Sequence, residues 1–176
     1  MGRVLAGELP GQIRFLLQWN RAQQFQLQVQ QGDSVVSADR FDEIFKDIAK
    51  GDTDAYDFCN ALFRWVHCLD DLVDKDKLVP PTAVSMLLFS FIHVIACNPF
   101  FQKHKTELLS TILLALQAWA DSEEWKTRPD VLHRITSQVL KSEYQNVFIH
   151  VAALCGGQCH MQEISRKYRD YDYDQN

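Results

Sequence analysis

The sequence predicts an all-α protein, a bundle of about six to seven helices around a central apolar cavity. Three observations predict it. Apolar residues recur at three- and four-residue spacing through most of the 176 residues, turn-forming Gly, Pro and Asn fall between the periodic stretches, and no stretch sustains strand alternation. With 47% of its residues apolar, the chain can bury a substantial core, and disorder is excluded. The expected arrangement is one domain over 1–168 followed by a flexible acidic tail, 169–176.

The first helix is expected from Gly11 to Gln31, where Phe15, Leu16, Trp19, Phe25 and Leu27 mark one face, with Gly32 ending it. A second begins near Ser37, a suitable N-cap, carries Phe41, Ile44, Phe45 and Ile48 on one face, and stops at Gly51. Asp52 or Thr53 caps the third, which holds Phe58, Leu62, Trp65, Val66, Leu69 and Val73 and ends before Pro80-Pro81. The fourth covers 81–97 and breaks at Asn98-Pro99. A fifth runs from Gln102 to Ser122 and a sixth from Pro129 to Cys155, and Gly156-Gly157 separates a short last piece ending near Tyr168.

The net charge of −5 and the scattered basic residues give no electrostatic footprint for nucleic acid. Five cysteines, three of them within apolar runs, fit free thiols in a reducing cytoplasm. Glu8, Pro10 and Arg14 interrupt the apolar core a signal peptide would need, and the apolar run 83–97 is too short to span a bilayer. A cytoplasmic, non-membrane-spanning protein is expected, and self-association is compatible with its composition.

The chemistry-bearing stretch is Asn-Ala-Leu-Phe-Arg-Trp-Val-His-Cys-Leu-Asp-Asp-Leu-Val-Asp-Lys-Asp-Lys, residues 60–77. Asp70, Asp71 and Asp74 crowd the C-terminal end of a core helix, where the dipole is already negative, so something positive must compensate them. Asp70 and Asp74 lie on one face, with Asp71 about 100° round the helix. Carboxylates so placed can share Mg²⁺, which takes one or two of them together with waters and phosphate oxygens. His67 and Phe63 are expected one and two turns below, as an aromatic wall. The alternative without function is a solvated helix end neutralised by Lys75 and Lys77.

Residues 70–74 complete a DDxxD pattern, and with the surrounding Cys-Leu-Asp-Asp-Leu-Val-Asp they resemble the first aspartate-rich segment of the trans-isoprenoid synthase superfamily, closest to the squalene/phytoene and terpene synthases. Residues 144–157, Tyr-Gln-Asn-Val-Phe-Ile-His-Val-Ala-Ala-Leu-Cys-Gly-Gly, resemble the kinked family helix that lines the prenyl pocket. The resemblance implies an all-α bundle that binds a prenyl mono- or diphosphate, such as farnesyl or geranylgeranyl, through Mg²⁺ on Asp70, Asp71 and Asp74. It also implies departure of the diphosphate with metal assistance, in the manner of a transferase or lyase. The family's second metal motif has no clear counterpart after Gly157. Glu143, Asn146 and His150 form a polar stripe that could face the ligand, and Phe63, His67, Phe89, His93, Phe148 and Ala152 are the other candidates for the ligand site.

Two further readings stand beside this one. A non-catalytic prenyl-phosphate-binding or helical scaffold protein would keep the pocket without turnover. An all-α Mg²⁺-dependent nucleotide pyrophosphatase would need Glu-Glu-x-x-Glu spacing, for which Asp-Ser-Glu-Glu-Trp at 121–125 is too short and isolated. Cys155-Gly-Gly-Gln-Cys159-His160 lacks the second ligand pair of a zinc site, so its glycines are expected to serve a helix break or close packing.

Overall fold

The computed structural model describes the backbone of residues 35–74, 84–85, 88–89 and 91–173, and within those spans the side chains from 41 to 170. Residues Met1–Phe41 and Asp42–Asn176 form separate compact units, and everything below lies in the second apart from the first turns of α1. The order is α1 (Val35–Ala49), α2 (Thr53–Asp74), a π-helical turn (Phe91–Ile95), α3 (Pro99–Lys103), α4 (Lys105–Lys126), α5 (Val131–Lys141), a 3₁₀ turn (Ser142–Tyr144) and α6 (Gln145–Tyr173). No strand occurs among the described residues, so the fold is all-α as the periodicity predicts. The expected helix 11–31 lies outside the described residues, as do Lys75 and Lys77.

α1 begins two residues before the expected cap at Ser37 and ends in a left-handed pair, Lys50 (φ 50°) and Gly51 (φ 88°). Glycine adopts this conformation without the steric cost a Cβ brings. Asp52 then caps α2 by accepting from the Ala55 amide at 3.0 Å. Ala55, Phe58, Cys59 and Leu62, at helical spacing, are buried. Asn98 does two jobs at the predicted break: its Oδ1 accepts from the Phe101 amide at 3.0 Å and its Nδ2 donates to the Asp54 carbonyl at 2.9 Å, tying the start of α3 to the start of α2.

Two expected helices are each divided. The chain breaks at His104 (φ −111°, ψ 22°), whose ring packs on Phe100 at 4.8 Å, so the expected helix 102–122 becomes α3 and α4, and α4 continues to Lys126. The expected helix 129–155 is split by the 3₁₀ turn at 142–144, where no Gly or Pro announces a change. α6 bends at Gly157 (φ 77°, ψ −172°), a conformation essentially reserved for glycine, and its helix then runs to Tyr173, through much of the expected tail. A Cβ on Gly156 would lie 2.5–2.6 Å from the His160 side chain, so its small size is a packing requirement. His160 Nε2 lies 3.2 Å from the Ile48 carbonyl and donates to it. The two glycines thus serve a helix break and a close contact, as expected.

The core sits where α1, α2, α3 and α6 meet. Phe45 lies 5.2 Å from Phe148, which stacks on Tyr168 at 5.9 Å, while Phe58 stacks on Phe101 at 5.7 Å. Phe45, Phe58 and Phe148 are fully buried, and aromatic pairs at these distances add to the stabilisation from area burial alone.

Candidate functional site

The C-terminal end of α2 meets α4 and α5 in a cluster of charges. Asp70 and Asp74 of α2 and Glu123 of α4 each offer a carboxylate oxygen within 4.8 Å of the others. This is the only group of metal-capable side chains among the described residues. The i, i+4 spacing predicts the convergence of Asp70 and Asp74. Asp71 points round the helix and is not in the group.

Two lysines hold the cluster. Lys126 of α4 pairs with Asp74 and with Glu123 Oε2 at 2.7 Å, and Lys141 of α5 bridges Asp70 at 2.9 Å and Asp74 at 3.2 Å. The Trp119 indole N–H donates to Asp70 Oδ1 at 3.3 Å. The hydrogen bond from Lys126, opposed by burial and reinforced by Lys141, holds the Asp74 carboxyl below its usual range. Asp74, then Glu123, pushes Lys126 up. Burial pulls Lys141 down, but its contacts with Asp70 and Asp74 outweigh this and leave it raised. Among the described residues three carboxylates stand against two ammonium groups, and Glu123 Oε1 is buried without a hydrogen bond.

An apolar cleft opens beside the cluster, lined by Leu62, Trp65, Val66 and Leu69 of α2, Ile112 and Trp119 of α4, and Tyr144 and Phe148 beyond them. Its free volume is about 30 Å³, room for a water or two and far below the ~300–1,000 Å³ of sites that enclose a small molecule. The indoles of Trp65 and Trp119 and the Phe148 ring stand among its walls.

The other candidates fall in different places. Phe148 lines the cleft. Phe63 and His67 pack on one another at 4.1 Å, and Phe63 also touches Phe45 at 5.4 Å; neither lines the cleft. The reason is helical arithmetic: stepping back by four from Asp71 reaches His67 and Phe63, whereas stepping back from Asp70 reaches Val66 and Leu62. Phe89 stacks on His93 at 4.5 Å, and His93 is exposed rather than a core residue. His150 Nδ1 lies 2.8 Å from Thr111 Oγ1, a contact between α6 and α4, and Glu143 hydrogen-bonds Asn146. The polar stripe is therefore engaged within the protein. Ala152 is buried in the core.

Sequence reasoning sets Asp121-Ser-Glu-Glu-Trp125 aside and so misses Glu123. It does not place Lys126 or Lys141 beside the aspartates. Reading α4 as a helix whose acidic end lies opposite α2 is the one signal that could have found them. All five cysteines are free; burial pushes the Cys155 thiol up to about 11, with the charge of Asp52 adding. No helix among the described residues is long and apolar enough to cross a membrane. No family model, curated protein or solved structure matches the chain.

Proposed function

We propose that the α2–α4–α5 end binds a phosphorylated ligand through Mg²⁺, with Asp70, Asp74 and Glu123 as the carboxylate ligands. The observation that supports this reading is the convergence of three carboxylates from two helices beside an apolar cleft, with Glu123 Oε1 unsatisfied among the described residues. An all-oxygen, half-buried donor set fits Mg²⁺ by its chemistry. When bound, the ion would supply Lewis-acid polarisation of a phosphate oxygen. Lys126 and Lys141 stand in for that charge in the free protein; once released from the carboxylates, their ammonium groups are placed to contact the phosphate. The DDxxD resemblance makes a prenyl diphosphate the preferred ligand class, its apolar end displacing Trp65 and Trp119 from the cleft.

Binding is the part of this reading the site supports best, with or without ionisation of the diphosphate. The alternative is a nucleotide held by the same metal site, as in an all-α pyrophosphatase. Calorimetric titration of farnesyl diphosphate, geranylgeranyl diphosphate and a nucleoside triphosphate, each with and without Mg²⁺, separates the two. We expect Mg²⁺-dependent binding weakened at least ~10-fold by Glu123→Gln and lost in Asp70→Asn/Asp74→Asn, with helical circular dichroism retained. Magnesium-dependent binding of the nucleotide alone selects the pyrophosphatase-like reading. If no ligand binds under either condition, the cluster is a structural ion network and the proposal fails.

A further inference from the structure

The two lysines of the cluster are not equivalent. Lys126 bonds Asp74 and, on its own helix, Glu123 Oε2 at 2.7 Å. Released from Asp74 it keeps a carboxylate, and Glu123 still has Oε1 to offer elsewhere. Lys141 has no such fallback. Its Nζ bridges Asp70 at 2.9 Å and Asp74 at 3.2 Å, and its own helix, Val-Leu-His-Arg-Ile-Thr-Ser-Gln-Val-Leu-Lys, carries no acid. Glu143, two residues further on, is engaged with Asn146.

α5 itself is tied in place. Ser137 is buried and donates to the Ser122 carbonyl at 2.8 Å, and His133 packs on Trp125 at 5.2 Å, so its inward side is anchored to α4 while Val131 and Val139 face outward. Movement is left to the Lys141 side chain, a flexible four-carbon stem on the last residue of the helix, 37% exposed. It can swing into solvent without disturbing the packing beneath it.

In its present place the ammonium stands where a cation shared by Asp70 and Asp74 would have to stand, and like charges so close repel strongly in a half-buried site. Withdrawal of Lys141 into water gives up both ion pairs, and nothing on α5 replaces them. A phosphate does replace them, because its oxygens accept charge-assisted hydrogen bonds from the ammonium.

We propose that Lys141 is a gate that makes metal binding by Asp70 and Asp74 conditional on a phosphate ligand. The inference rests on the reading of the cluster as a metal–phosphate site and adds its regulation: Lys141 refuses a bare ion and yields when a phosphate accompanies it. Such coupling is reciprocal, so the phosphate is also held weakly without the ion.

Binding of Mn²⁺ to the full chain, with and without inorganic pyrophosphate, tests it, read by calorimetry and by the paramagnetic resonance of the free ion. In the wild type the Mn²⁺–pyrophosphate complex should bind at least ~10-fold more tightly than Mn²⁺ alone. Lys141→Met should tighten bare Mn²⁺ at least ~10-fold and weaken the complex by a similar factor, whereas Lys141→Arg, which keeps the charge, should behave as the wild type. Lys126→Met removes an equal charge from the same cluster and should tighten bare Mn²⁺ by no more than ~3-fold. A wild type that takes bare Mn²⁺ as tightly as the complex overturns the gate while the metal–phosphate reading stands. So does a Lys141→Met protein with both affinities unchanged, or a Lys126→Met protein that matches it in gain. If neither the wild type nor any variant binds Mn²⁺ in either form, the metal–phosphate reading itself fails and the gate falls with it.

Discussion

The two halves of α2 hold the bundle together in opposite ways. Its first three turns bury Ala55, Phe58, Cys59 and Leu62 among aromatic rings, where cohesion is non-directional and insensitive to pH and salt. Its last turn holds Asp70 and Asp74 against two lysines delivered by other helices, where cohesion depends on charge, geometry and solvent. One helix thus carries a region selected for packing and a region whose stability is conditional. The conditional end is where a ligand can compete, because the bonds there are exchangeable for others of the same kind.

The largest expected effect is at the packed end. Phe58 is fully buried between Phe100 and Phe101, and Phe58→Ala should cost about 3–5 kcal/mol in urea unfolding, with a slope typical of the chain's size. At the charged end Asp74→Asn removes the negative charge that Lys126 and Lys141 share. Because both lysines are more than a third exposed, the loss should be only about 1 kcal/mol. A cost at Asp74 as large as that at Phe58 would break the comparison and make the cluster part of the core.

The pH dependence sharpens it. Asp74, whose carboxyl is lowered, contributes stability above the ordinary carboxylate value of 3.8 and loses it as pH falls through the lowered value. Lys126 and Lys141, both raised, contribute below 10.5 and lose it as pH rises through their raised values. Thermal midpoints should therefore fall on both flanks, and Asp74→Asn should flatten both. The smallest effect belongs to Trp119→Phe, which removes one long hydrogen bond to Asp70 and should cost about 0.5 kcal/mol, read as a shift in the urea midpoint.

The same contrast explains what could be read from the sequence. Periodicity alone assigns α2 and the buried set Phe58 and Leu62, and i, i+4 spacing joins Asp70 to Asp74, because both depend on one helix. The rest needs the fold. Trp119 is 49 residues from Asp70, and Lys126 and Lys141 are 52 and 67 residues from Asp74, and no local rule brings such residues together. The Phe63–His67 wall is misplaced because two adjacent aspartates stand on different stripes, and only neighbouring helices decide which stripe faces inward. α5 shows the limit most plainly. Its amphipathicity is legible, but the side that turns inward is chosen by Ser137 and Lys141 and not by its valines.

The length of α2 has a further consequence. At 1.5 Å per residue its 22 residues extend about 33 Å, and Phe58 and Asp74 stand about 24 Å apart along it. Substitutions that far apart, without shared contacts, combine additively. The charges at the acidic end can therefore be substituted without drawing on the stability reserve held at the aromatic end. The helix works as a spacer that keeps a change at one end from being felt at the other.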